Sequence, residues 1–301
     1  MGDLEGTSFT DTTLFNDMIF DEYYRFTLRE DAIILTYSCM TSYNETIAYI
    51  DLIVDFFDGE FRIREVNLRE NVGLSEEIAA RKSMPEVTDG FCTYRRYKEG
   101  WMLASYAGDE ENISIPAEYD GLPVIAVGWK CFSDSTTLRS ISLPEVREIH
   151  AYAFQNSSVA EVEAPNLLVL GWCAFASCAQ LPKIELPQIY WISSEAFRLC
   201  EKLEKITLPE ARVVKAEAFA YTALLKADLP HAREIERQAF EGCNNLTEIA
   251  IPKVETMGND LFFMLTGVQI YTSVGNGEVE RYYKNHNTKE VLPSVIYEQK
   301  D

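Results

Sequence analysis

LPKIELPQIYWISSEAFRLC (residues 181–200) is followed by LEKITLPEARVVKAEAFAYT (residues 203–222). Laid over one another, they agree at Leu181/Leu203, Ile184/Ile206, Leu186/Leu208, Pro187/Pro209, Ala196/Ala218 and Phe197/Phe219. Outward from this pair, Ala-Phe recurs at Phe154, Phe175 and Phe240, with variant copies Cys131-Phe132 and Leu261-Phe262 at the flanks. The phenylalanines are spaced by about 21 or 22 residues, which marks a repeat architecture. A second ladder keeps the same phase: Pro144, Pro165, Pro187, Pro209, Pro230 and Pro252 each close a short apolar run.

The Ile-x-Leu step before each proline has the two-residue period of a strand. Equivalent strands are expected to pair in parallel as one continuous sheet, and the proline, lacking an N–H, to end the ladder. The phenylalanine fills the interior on the far side of the coil, and the alanine lets neighbouring coils approach. One coil alone cannot bury these residues; stacking creates a shared core.

The full pattern, Leu-x-x-Ile-x-Leu-Pro, then Ile, then Ala-Phe-x-x-Cys, resembles the BspA-type (treponemal-type) leucine-rich repeat. Cys178, Cys200 and Cys243 occupy its cysteine position, and Ser157 and Thr222 depart from it. The resemblance spans about residues 94–285. It includes a first copy running from Tyr106 through Ile115-Pro116 to Val124, and a closing segment from Ile270-Tyr271 to Asn285. It implies an α/β repeat solenoid: a right-handed leucine-rich-repeat superhelix with a parallel sheet on the concave face. Family members are binding modules, often on bacterial cell surfaces.

Three segments are expected: an acidic, small α+β domain at 1–93, the solenoid at 94–269, and a C-terminal cap and tail at 270–301. In the first, Leu14, Phe15, Met18 and Ile19 have helical spacing after a cap at Asp11. Tyr24, Phe26 and Leu28 alternate as in a strand, and Ile33–Leu35 supply the next. Residues 47–68 read as a hairpin about Asp58-Gly59. A helix is expected from Ser75 to Met84, ended by Pro85.

Acidic residues number 48 against 27 basic ones, a net charge of −21. Residues 1–93 hold 19 acids and 7 bases, a net of −12. Such a chain repels phosphate backbones and anionic membrane surfaces, so nucleic acid is not an expected partner, and because no apolar run approaches the roughly 18 residues of a membrane helix, membrane insertion is not expected either. The acidic start lacks the basic and apolar regions of a secretion signal. The chain as it stands reads as cytoplasmic, or as cell-surface or secreted if a leader has been removed. No metal, cofactor or catalytic site is expected: three histidines are too scattered for a zinc site, and phosphate loops and nucleophile elbows are lacking. The cysteines of the repeat slot are expected to be buried free thiols, because equivalent side chains in a stack point in parallel.

Candidate binding residues come from the register. Ser140, Glu161, Lys183, Lys205, Lys226 and Glu248 form one outward column of the strands, and Glu163, Glu185, Thr207 and Asp228 belong to the next. They make either a charged docking surface or a set of cross-strand ion pairs. Trp129, Trp172, Tyr190 and Trp191 are candidate aromatic contacts, able to anchor a protein or stack on a sugar. The function expected is non-enzymatic recognition of a protein partner, with a glycan as the second choice. Two other readings remain: an enzyme seated in residues 1–93 with the repeats as its targeting arm, and a structural, self-associating protein.

Overall fold

The computed structural model describes residues 18–29, 32–41, 46–57, 60–70, 86–265, 267–285 and 294–298. It divides into two compact units, Met1–Met84 and Pro85–Asp301.

The first unit holds a four-stranded antiparallel sheet of β1 (Met18–Arg29), β2 (Ala32–Thr41), β3 (Thr46–Phe57) and β4 (Glu60–Glu70), in that order. The hairpin expected at 47–68 is β3–β4, closing with Phe57 opposite Glu60. Met18 and Ile19 correct the helical expectation: they pair with Thr41 and Met40 in β1. Cross-strand pairing overrides their local helical spacing, as tertiary context does for short apolar patterns. Leu14, Phe15 and the helix expected at residues 75–84 lie outside the described residues.

The second unit begins with a meander of β5 (Val87–Asp89), β6 (Cys92–Tyr97) and β7 (Gly100–Tyr106). β7 pairs in parallel with β10 (Leu122–Val127), so residues 87–93 are continuous with the repeat sheet. The short β9 (Glu118–Tyr119) doubles back onto β10 through Asp120 and Gly121, both with positive φ.

Each later coil contributes two strands. The first, three residues long in most coils, builds two adjacent parallel sheets. One contains β8 (Asn112–Ser114), β11 (Ser140–Ser142), β13 (Glu161–Glu163), β15 (Lys183–Glu185) and β17 (Lys205–Thr207). The other contains β19 (Lys226–Asp228), β21 (Glu248–Ala250), β23 (Gln269–Ser273) and β24 (Ser294–Glu298). The second strand, two residues long, recurs as β12 (Glu148–Ile149), β14 (Val169–Leu170), β16 (Trp191–Ile192), β18 (Val213–Val214), β20 (Glu234–Ile235) and β22 (Thr256–Met257). These extend in parallel from β10. The expectation of one continuous sheet is thus corrected to two faces. The segment after each proline is extended as well, with its second residue turned inward. Helix among the described residues is confined to α1 (Gly277–Asn285), whose first turn is capped by Asn276 Oδ1 accepting from the Glu278 and Val279 N–H groups.

Between β13 and β15 the pairing shrinks to Glu163 opposite Glu185. Pro182 is the cause: its nitrogen has no hydrogen to offer, whereas Ala160 and Glu204 at the equivalent position donate to Arg139 O and Pro182 O.

The phenylalanines form one interior column. Phe132, Phe154, Phe175, Phe197, Phe219, Phe240 and Phe262 stack with ring centroids 4.8–6.3 Å apart. Tyr106 closes the column at one end and Tyr282 at the other. Alanine precedes most of them because the backbones meet there: Phe154 N donates to Ala174 O at 2.8 Å, and Phe197 N to Ala218 O at 2.8 Å. The cysteine position has a comparable explanation. Cys178, Cys200 and Cys243 are buried free thiols whose sulfurs donate to Phe154 O, Phe175 O and Phe219 O at 3.0–3.1 Å. Thr222 bonds differently, its hydroxyl donating at 2.9 Å to Phe219 O of its own coil, the carbonyl that Cys243 reaches from the next coil. The slot selects a small side chain that can occupy a buried carbonyl.

Candidate functional site

Two surfaces carry the candidate residues. On the three-residue strands, the middle residue points inward and its neighbours outward, as in the exposed–buried–exposed pattern of β13, β15, β17 and β19. Ser140 lies opposite Glu161, Lys183 opposite Lys205, and Lys226 opposite Glu248. In the second column Glu163 lies opposite Glu185, Glu185 opposite Thr207, and Asp228 opposite Ala250.

The lysines are not equivalent. Lys226 is 2.9 Å from the Glu248 carboxylate, whose hydrogen bond and charge hold the ammonium above its ordinary pKa. The two lie in the second sheet, where β19 and β17 do not pair. Lys183 and Lys205 are exposed, side by side in register, and neither has an ion-pair partner among the described residues. Toward β8 the polar groups satisfy each other: Ser140 donates to Asn112 at 2.7 Å and Ser142 to Glu163 at 2.9 Å.

The two-residue strands form the other surface. Glu148, Val169, Trp191, Val213, Glu234 and Thr256 point outward in one column, each next to a buried partner. Beside it runs Arg147, Leu168, Tyr190, Arg212 and Arg233, linked coil to coil by backbone bonds such as Arg212 N to Tyr190 O and Arg233 N to Arg212 O. Charges here are largely neutralised from within. Lys215 is 1% exposed; its ammonium reaches Glu234 at 3.2 Å, bonds Glu236, and sits 5.5 Å from the Trp191 ring centroid. Burial holds the Glu236 carboxyl above its ordinary range even against the opposing pull of Lys215. At the other end Glu148 takes hydrogen bonds from Tyr97 at 2.8 Å and from Lys98, with His150 at 3.6 Å. Burial works against that carboxylate, but these partners outweigh it and bring its pKa down to about 2.

The four candidate aromatics divide between two places. Trp129 (40% exposed) lies under the Lys130 ammonium, and Trp172 packs edge-on against Tyr152 and donates to Glu195 at 3.2 Å. Tyr190, 42% exposed, and Trp191 are neighbours on the two-residue strand face. The buried Lys215 and His150 and the half-buried Glu148 escaped the reading of the sequence. Lys215 and Glu148 find partners in other coils, 19 to 51 residues away, which no local pattern announces, and His150 lies beside Glu148. Among the described residues no cluster of His, Cys, Asp and Glu could hold a metal ion, and no helix is long and apolar enough to cross a membrane.

The model of the BspA type leucine-rich repeat region matches residues 126–247 and 212–291 in six copies, more than half of the chain. The chain belongs to the BspA-type leucine-rich repeat family. Among solved structures, this BspA-type chain is similar to a leucine-rich repeat protein of T. pallidum. The match covers 70% of this chain and all of that one, at 22% identity and a TM-score of 0.44. No curated protein matches it. Membership of this repeat family suggests a protein-interaction or binding module.

Proposed function

We propose that this BspA-type solenoid is a non-enzymatic protein-recognition module, and that its three-residue-strand face receives the partner around Lys183 and Lys205. The observation that carries this reading is the lysine pair. Like charges directly opposite on a sheet are destabilising by a few tenths of a kcal/mol, and no carboxylate of the described residues comes within ion-pair distance of either. A partner carboxylate relieves that repulsion and gains a charge-assisted hydrogen bond. Glu163, Glu185 and Asp228 alongside supply the acidic half of a mixed surface and reject a uniformly acidic partner. Lys226 contributes less, since Glu248 already engages it.

The test is capture and identification of a partner with the full chain, followed by affinity measurement with variants. Replacing both Lys183 and Lys205 by alanine is expected to weaken binding at least tenfold and to flatten its salt dependence, whereas Lys226→Ala changes it about twofold. A double variant that binds as tightly as the parent chain excludes this face.

A further inference from the structure

The two-residue-strand face holds a feature that this reading does not use. Its ends are polar, with the carboxylate of Glu148 at one and the carboxylate of Glu234 and the hydroxyl of Thr256 at the other, but its centre is apolar. Val169, Trp191 and Val213 are direct neighbours on adjacent strands. Leu168 and Tyr190 flank them in the next column, Tyr190 N bonding Leu168 O. Tyr190 is 42% exposed, so a large ring stands in solvent at the middle of the patch. Aromatic side chains ringed by aliphatic and then charged groups have the anatomy of an interface centre.

The same column also carries three arginines in a chain where acids far outnumber bases. Arg212 is exposed, adjoins Tyr190 through the bond from its N–H to Tyr190 O, and has no ion-pair partner among the described residues. Arg147 and Arg233 lie at the two ends, each bonded to one exposed carboxylate, Glu99 and Glu255. Such surface bridges are worth little and exchange readily for a ligand carboxylate. Arginine presents a planar fork suited to a carboxylate and stacks on aromatic rings. Aliphatic side chains on both sides of the rings favour buried hydrocarbon over sugar hydroxyls.

We infer that this face is a second docking surface, and that it takes an acidic protein segment with one or two large apolar side chains. The apolar side chain covers Tyr190 and Trp191, and the carboxylates pair with Arg212 and, by exchange, with Arg147 and Arg233.

The experiment selects displayed random peptides on the full chain. One library combines Asp and Glu with large apolar residues; a matched library carries Lys in place of the acids. Polygalacturonate serves as an acidic glycan, and light scattering across concentrations reports self-association. The acidic apolar library is expected to yield binders. Their affinity should fall at least tenfold with Tyr190→Ala and with Arg212→Ala, survive Tyr190→Phe, and be unchanged when Lys183 and Lys205 are both alanine. Arg212→Glu should shift selection toward the lysine library, a result that misfolding cannot produce; matching thermal midpoints verify the alanine variants. Four outcomes overturn the inference. They are no enrichment, enriched peptides insensitive to Tyr190→Ala and Arg212→Ala, polygalacturonate binding that those substitutions abolish in place of peptide binding, and a self-association that Arg212→Glu removes.

Discussion

Lys205 and Lys215 lie in the same coil, one on each face. Lys205 stands exposed on β17 beside Lys183, without an acidic partner among the described residues. Lys215, just past β18, is almost wholly buried between two carboxylates and an indole. Both belong to a coil whose inward residues follow the family pattern, so the interior does not distinguish them. The difference arises from what neighbouring coils present at the same position. One face leaves charge open to a partner. The other buries Lys215 among carboxylates and turns Tyr190 and Arg212 to solvent.

The largest effect comes from a substitution that destroys the contrast altogether. Phe197 is fully buried between Phe175 and Phe219, at 5.5 and 5.6 Å. Phe197→Ala opens a cavity in the column that supports both faces and is expected to cost about 3–5 kcal/mol. A shift of the urea midpoint worth less than about 1 kcal/mol would mean that the stack is not the principal source of stability.

The buried charges come next, and pH separates them. Lys215→Met removes the cation but leaves Glu234 and Glu236 in place, at an expected cost of about 2–3 kcal/mol at neutral pH, discounted because both carboxylates retain some exposure. In the variant, burial raises the Glu236 pKa further. A carboxyl with a folded pKa above its unfolded value binds more protons in the folded state, so stability rises as pH falls, and the deficit should shrink toward pH 5. Glu148 behaves oppositely. Its folded pKa of about 2 lies below the ordinary 4.5, so its contribution is present above 4.5 and is lost as pH falls toward 2. Glu148→Gln should cost about 2–3 kcal/mol at pH 7. The gap from the parent should close only near pH 2. Urea unfolding of the two variants from pH 7 to 2 checks both signs; gaps closing over the same pH window would contradict these assignments.

The inward residues were legible because each repeats. Phe154 to Phe240 and Pro144 to Pro252 set the phase, and from phase alone Lys183 falls opposite Lys205, as the strands have it. The sheet of two-residue strands was not legible because those strands are so short; Trp191-Ile192 shows no alternation for a period to detect. The burial of Lys215 was hidden for another reason. A lysine in a surface column ordinarily reads as solvated, and here Trp191, Glu234 and Glu236 from adjoining coils cover it. The same holds for Glu148, whose partners Tyr97 and Lys98 come from the terminal meander about 50 residues away. Columns reveal what recurs, while the candidate sites depend on what departs from recurrence.

The smallest effect is the most discriminating. Lys205→Ala deletes a side chain with no ion-pair partner among the described residues and ends a like-charge juxtaposition with Lys183. Its stability change should lie within about 0.5 kcal/mol of zero and lean toward stabilisation, by roughly 0.2–0.5 kcal/mol. Salt sharpens the measurement. Added salt screens repulsion between exposed charges, so the gain should fade between low ionic strength and about 0.5 M. Urea midpoints of the parent and variant at both ionic strengths provide the check. A stability loss beyond 1 kcal/mol would show that Lys205 is held by the fold as Lys215 is, and the contrast between the faces would fail. A neutral or stabilising result, combined with weakened partner binding, places the role of Lys205 outside the folded chain, since a residue that slightly opposes folding and supports association acts through the partner it meets.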